Sequence, residues 1–254
     1  MFLPRIIPVL LLKGKGLVKT VQFKDPRYLG DPINAVRIFN DLKADELVFL
    51  DITASTEKRT ISNSLIKDIG DEAFMPFGVA GGFQSVQAIE LALKSGAEKV
   101  ILNTALHTSR MMVAEAVKNF GSQSIVASID AKRSLFGKYQ AVVQSAAVKT
   151  GVSPVEMAKT AEDLGCGEII INSVDQDGMM KGYDLELIKS VAEAVHIPVV
   201  GCGGAGTITD LYNVVEIGGA HAAAAGSLFV YHGTRKAVLI NYPSKKEVME
   251  IFKS

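Results

Sequence analysis

Short apolar runs rich in β-branched residues alternate along the whole chain with longer segments in which apolar residues recur every three or four positions. The runs predict strands at 5–12, 46–52, 76–81, 99–103, 124–130, 168–173, 198–203 and 221–226. The longer segments predict helices near 31–43, 60–73, 85–95, 108–119, 153–165, 184–195 and 208–218, with a last one near 244–252. Eight alternations without a composition break or a Ser/Gly linker predict an α/β fold, a (β/α)₈ TIM barrel in preference to a doubly wound sheet. Residues 1–254 are expected to form one domain.

The chain also repeats itself at about half its length. Pro76-Phe-Gly-Val-Ala-Gly-Gly82 lies without gaps on Pro198-Val-Val-Gly-Cys-Gly-Gly204, and Glu46-Leu-Val-Phe-Leu lies on Glu168-Ile-Ile-Ile-Asn. Gly96-Ala-Glu-Lys-Val-Ile-Leu-Asn-Thr104 lies on Gly219-Ala-His-Ala-Ala-Ala-Ala-Gly-Ser227. Two half-barrels, about 1–120 and 121–254, follow. Two connections, 13–30 and 131–152, are longer than barrel economy requires and occupy related positions in the halves. The glycines and lysines of the first suit a mobile, phosphate-attracting cover, or an ordinary solvated loop.

Strand alternation with period two carries the candidate chemistry. Arg5, Glu46, Lys99 and Glu168 each start a strand and share a face with Leu11, Leu50, Asn103 and Asn172. If the upper members face the lumen, all four charges meet at the opposite mouth and must pair there. Such a plug is either a gate or a purely structural ring. At the carboxyl ends, Gly81, Gly82, Asn103 and Thr104 in one half match Gly203, Gly204, Gly226 and Ser227 in the other. Glycine, hydroxyl groups and helix starts in that place suit phosphate, and paired clefts suit a ligand with a phosphate at each end. Asp177 and Gly178 could close the second cleft. Asp130 ends its strand where a barrel holds a general acid or base; the alternatives are a loop cap or a pair with Lys132. Its repeat-related partner is Leu11, which transfers no proton.

Composition adds limits. Lys plus Arg and Asp plus Glu both number 27, which gives no case for nucleic-acid or membrane binding. Cys166 and Cys202 lie in apolar or glycine-rich surroundings without ligand spacing, so buried free thiols are expected, with no metal and no cofactor. No apolar run reaches membrane-span length, and Met1 to Leu12 lacks a leader pattern. A cytoplasmic setting is expected.

Several stretches together resemble the cyclase subunit family of imidazole glycerol phosphate synthase, the HisF-like barrels. They are Arg5-Ile-Ile-Pro, Gly30-Asp-Pro, Asp45-Glu-Leu-Val-Phe-Leu-Asp-Ile-Thr-Ala-Ser55, Asn103-Thr104, Phe120-Gly-Ser-Gln123, Ile129-Asp-Ala-Lys132, Gly182-Tyr-Asp184 and Gly203-Gly-Ala-Gly206. The resemblance implies a barrel that takes ammonia from a HisH-like glutaminase docked at its lower end. It implies that Arg5, Glu46, Lys99 and Glu168 are the ammonia gate, and that Glu98 and Gln123 face the glutaminase. It also implies that the clefts hold a bisphosphorylated ligand and that Lys19 belongs to a mobile, catalytic loop.

Departures from that family are specific. Both Leu11 and Asp130 positions are aspartates there, and Val9-Leu-Leu-Leu12 replaces a Cys-Leu-Asp-Val run. Ala80-Gly-Gly-Phe83 stands for Gly-Gly-Gly-Ile, Asp175-Gln-Asp-Gly-Met179 for Asp-Arg-Asp-Gly-Thr, and Asn172 and Cys202 for Thr and Ser. The first strand and Arg235-Lys-Ala-Val-Leu-Ile-Asn-Tyr-Pro-Ser244 look like the WbuZ-type second-copy branch. That branch is associated with a separate sugar amidotransferase and acetamidino sugars of surface polysaccharide. Three functions stay open: an ammonia-conducting subunit of such a system, an authentic cyclase (a lyase) of histidine biosynthesis, and a non-catalytic glutaminase-binding scaffold.

Overall fold

The computed structural model describes residues 3–134, 136–233 and 235–253; residues 1, 2, 135, 234 and 254, the chain ends included, lie outside the described residues. Eight parallel strands close on themselves: β1 (Arg5–Lys13), β4 (Leu47–Asp51), β5 (Phe77–Ala80), β6 (Lys99–Leu102), β7 (Ile125–Arg133), β10 (Glu168–Ser173), β11 (Val199–Cys202) and β12 (Ala222–Ala225). β12 pairs with β1 and completes the ring. All eight predicted strands are present and the α/β barrel is the fold; most ends move by at most one residue, but β7 runs three residues past its predicted end because it pairs with a hairpin strand there, so Asp130 lies within β7 and does not end it. Each half contributes four of them.

Helices α1 (Pro32–Asp41), α2 (Asn63–Glu72) and α3 (Val86–Lys94) cover the outside of the first half. The predicted helix near 108–119 is α5 (Arg110–Phe120), and an unpredicted short helix, α4 (Thr104–Thr108), precedes it across Ser109. The second half carries α6 (Pro154–Asp163), α7 (Leu185–Ala192), α8 (Ile208–Glu216), the short α9 (Ser227–Val230) and α10 (Lys245–Phe252). Their starts are written in the chain. Asp31, Ser62, Ser85 and Asp184 each accept a hydrogen bond from a backbone N–H three residues on, and Ser153 with Glu156 and Ser244 with Glu247 form reciprocal capping boxes.

Alternation along the strands divides the buried residues in two. Outward side chains such as Ile6, Phe49, Val79, Ile129 and Ile171 pack under the helices. Inward ones, Ile7, Val9, Leu11, Val48, Ile101, Val126, Ile170 and Val200 among them, form a second apolar cluster that fills the lumen. The lumen is a packed interior rather than a pore.

Neither long connection is the loop that its composition suggests. β1 runs past the rim and turns at Gly14, with φ +60°, into β2 (Gly16–Val21), which pairs with β3 (Lys24–Gly30). After β7 the same plan recurs in β8 (Tyr139–Val143) and β9 (Val148–Lys149). Pairing with an already formed strand supplies order that the glycines and lysines do not advertise. Leu17, Val18, Lys19 and Thr20 are buried, so Lys19 lies within a strand and not on a solvated cover.

Phe49 is fully buried and packs edge-to-face on Phe77, with ring centroids 6.2 Å apart. Phe49→Ala is expected to cost about 3–5 kcal/mol. Urea denaturation should show a lowered midpoint at an unchanged slope.

Candidate functional site

The amino-terminal mouth of the barrel is closed by ions. Arg5 on β1 donates from Nη1 to Glu46 and from Nη2 to Glu168 on β10. Lys99 on β6 donates from Nζ to Glu46 Oε1 at 2.8 Å and to Glu168 Oε2 at 3.0 Å. Each carboxylate therefore uses one oxygen per cation, and the signs alternate around a neutral square. Glu46 and Glu168 are buried, while Arg5 is half-buried. Period two placed all four on the inner face, and barrel closure brings them together. Glu98 and Gln123 are exposed at the same end, just before β6 and β7.

At the carboxyl end a cavity of about 270 Å³ opens over the lumen. Gly81, Gly82, Asn103, Thr104, Asp177, Gly178, Gly203, Gly204, Gly226 and Ser227 all line it, together with Leu11, Lys19 and Asp130. Both glycine pairs are required by close approach. A β-carbon on Gly82, at φ +64°, would lie 1.9 Å from the Arg59 carbonyl oxygen, and one on Gly204, at φ +116°, 2.1 Å from that of Gly182. Thr104 and Ser227 begin short helices beside the clefts. Ser227 Oγ is buried with no hydrogen-bond partner, a free donor at the second cleft.

Lys19 Nζ donates to Asp177 Oδ1 at 3.0 Å, to Oδ2 at 3.2 Å and to the Thr20 carbonyl at 2.9 Å. Asp177 thus meets the cavity as the partner of Lys19, and Thr20 Oγ1 donates to the same carboxylate at 3.3 Å. Gln22 N–H reaches the Asp177 carbonyl at 2.9 Å, and a β-carbon on Gly178 would come within 2.4 Å of the Thr20 carbonyl. The β2–β3 hairpin is strapped across the cavity to the loop after β10.

Asp130 on β7 accepts from Asn103 Nδ2 at 3.2 Å and from Asn172 Nδ2 at 3.0 Å. Its alternative partner, Lys132, is exposed and makes no such pair. Burial raises the Asp130 pKa to about 7, the Asn172 hydrogen bond opposes that rise, and the charge of Asp177 adds to it. A carboxyl with that pKa can both hold and release a proton near neutrality. Leu11 is buried, in register with Leu50 on β4, and makes the β1 wall of the cavity apolar.

Several lining residues escaped the sequence reading. Asp51, at the carboxyl end of β4, accepts from Arg59 Nη1 at 2.5 Å and from the Thr53 and Ala54 backbone N–H groups, both at 3.1 Å; its place at a strand end was the available signal. Gln144 and Ser145 reach the cavity from a turn with φ +53° and +54°, and Ser145 Oγ donates to the Ile52 carbonyl at 3.0 Å. Nothing in the chain announces them, because the β8–β9 hairpin that carries them was itself unread. Cys166 and Cys202 are buried free thiols, the second in the cavity wall with its pKa pushed up by burial to about 12.

Residues 5–236 match the family model of histidine biosynthesis proteins. The chain is 46% identical over 239 residues, 94% of its length and 95% of the other's, to a protein of Pseudomonas aeruginosa provisionally named imidazole glycerol phosphate synthase subunit hisF2. A Leptospira interrogans protein, provisionally named subunit HisF of the same synthase, is 42% identical over 253 residues, 99% of this chain and 100% of its own. The imidazole glycerol phosphate synthase subunit HisF of Thermococcus onnurineus is 43% identical over 249 residues, 98% of each chain.

A carboxyl whose folded pKa lies above its unfolded value stabilises the protein fully below the unfolded pKa, and that contribution is lost as pH rises through about 7. Asp130→Asn is therefore expected to raise the urea midpoint at pH 8, with the gain shrinking toward pH 4. Paired denaturation curves at the two pH values check this.

Proposed function

The chain belongs to the family of histidine biosynthesis proteins, among its HisF-like members, and from that premise we propose that it is the barrel subunit of a glutamine-dependent amidation system. In this function a HisH-like glutaminase docks at the lower end near Glu98 and Gln123. Ammonia passes the square of Arg5, Glu46, Lys99 and Glu168 into the lumen. The lumen above is packed with the apolar side chains of Ile7, Val9, Val48, Ile101, Val126 and Ile170, between which only a small neutral molecule such as ammonia would pass. The glycine clefts, Lys19, Ser227 and Thr104 would hold a ligand phosphorylated at both ends. The final acceptor is a surface-polysaccharide sugar, amidated by a separate sugar amidotransferase of the kind associated with the WbuZ-type branch.

One observation carries this proposal: the ionic floor is complete while the β1 wall facing the cavity carries Leu11 in place of an acid. Conducting ammonia needs the floor. A two-carboxylate cyclisation needs the acid, and losing one of two proton-transfer groups costs about 10² to 10⁴ in rate. The provisional second-copy name of the Pseudomonas aeruginosa relative supports a role apart from the ordinary subunit.

The authentic cyclase keeps one observation in its favour. Asp130 remains, with a pKa near neutrality, and Lys19 stands in the same cavity. The two functions part in one assay: turnover of the bisphosphorylated ribulosyl-formimino carboxamide of histidine synthesis by the purified barrel with saturating ammonium salt and no glutaminase. The expected result is no turnover by the folded wild-type chain and measurable turnover by Leu11→Asp. Wild-type turnover at the level of an ordinary cyclase returns the protein to histidine biosynthesis.

Opening the floor is expected to uncouple the partner. Lys99→Ala should leave glutamine hydrolysis in the glutaminase complex running while less product forms per glutamine consumed. Measuring glutamate and product together distinguishes this from a scaffold, for which the ratio does not change.

A further inference from the structure

Asn172 stands where the family has threonine, and its surroundings give it a task. In the sheet it lies beside Asp130 on one side and Cys202 on the other. Its Nδ2 donates to Asp130 Oδ1 at 3.0 Å. Asn103 Nδ2 donates to Asp130 Oδ2 at 3.2 Å and is anchored by the Ser128 carbonyl at 3.0 Å. Both oxygens of one carboxyl thus face amide donors. Donors on both oxygens favour the ionised form, because a proton on either oxygen would meet an N–H.

The other end of the Asn172 amide is unsatisfied. Oδ1 is buried and has no hydrogen-bond partner. It lies against Gly203, where a β-carbon would sit 2.6 Å away, so glycine at that position makes room for it. A buried acceptor left without a donor keeps its full desolvation penalty. The opposite orientation of the amide would set Oδ1 against Asp130 Oδ1, two acceptors in contact. That contact becomes a hydrogen bond only when Asp130 carries the proton.

We propose that Asn172 is a positioning residue that sets the charge of Asp130, its amide nitrogen donating to the carboxylate and so favouring the ionised form. The side chain acts through Asp130 and need not touch the ligand. In this chain the device has particular weight, because Leu11 leaves Asp130 without a second carboxylate on the β1 wall. The other ionisable groups around the cavity are Asp177 and its partner Lys19, Lys13 at the end of β1, Asp51 paired with Arg59, and the neutral thiol of Cys202. None of them makes a hydrogen bond to Asp130 among the described residues. The inference rests on Asp130 being the proton-transfer group of the proposed site.

The test reads the carboxyl directly. Carbon-13 NMR of labelled aspartate, with the Asp130 signal assigned through Asp130→Asn, gives its titration midpoint in the purified barrel. Asn172→Val, which suits a strand and donates nothing, should raise that midpoint by roughly half to one pH unit. Asn172→Thr, whose hydroxyl can donate, should return it toward the wild-type value, and Asn103→Ala should raise it as Asn172→Val does. Asn172→Ala serves as a second donor-free variant if the valine protein does not fold. An unchanged midpoint in a folded donor-free variant overturns the proposal, as does a rise that Asn172→Thr leaves in place. Neither substrate nor glutaminase enters the measurement, so its outcome is separate from that of the turnover assay.

Discussion

Four charges held at the narrow end of the barrel constrain everything above them. A charge taken from water into a protein interior loses several kcal/mol of hydration, and pairing offsets this only when every partner is in place. Here the offset is complete: two carboxylates, each divided between Arg5 and Lys99. The square exists only if β1, β6 and β10, with Glu46 just ahead of β4, start at matched heights. A one-residue slip in any of them would turn its charge outward and bury an unpaired partner. Well-packed apolar residues would serve stability as well or better. Its presence is therefore not accounted for by stability alone.

Above the floor the lumen turns apolar and then polar again within the length of one strand. On β1 the succession is Arg5, Ile7, Val9, Leu11, so the polar layer that returns on β7 and β10 as Asp130 and Asn172 is missing there. The upper cavity is lopsided: an amide-clamped carboxyl on one wall and aliphatic carbon on the wall of β1. That lopsidedness leaves Asp130, among the described residues, as the one carboxyl facing the middle of the cavity from β1, β7 or β10.

The clefts and the strap over them depend on backbone as much as on side chains. Gly82 and Gly204 let the chain pass carbonyl oxygens at distances no side chain permits. The β2–β3 hairpin is held down by Lys19 and Gln22 on the loop after β10, and Ser145 ties the β8–β9 turn to Ile52. Two hairpins, one from each half, border a single cavity.

The chain's periodicity was sufficient for the eight strands, for the barrel, and for the inward direction of Arg5, Glu46, Lys99 and Glu168. These are properties of single segments, set by alternation along a strand and by caps such as Ser153 with Glu156. The glycine pairs were legible for the same reason: they sit at fixed offsets from strand ends. The hairpins were not, since their order comes from pairing with a neighbouring strand and not from their own composition. Which cation meets which carboxylate, the strapping of Lys19 to Asp177 across 158 residues of chain, and the clamp of two amides on Asp130 belong to the closed barrel alone. Partners so far apart along the chain become neighbours only when the sheet closes, and burial then decides their charge.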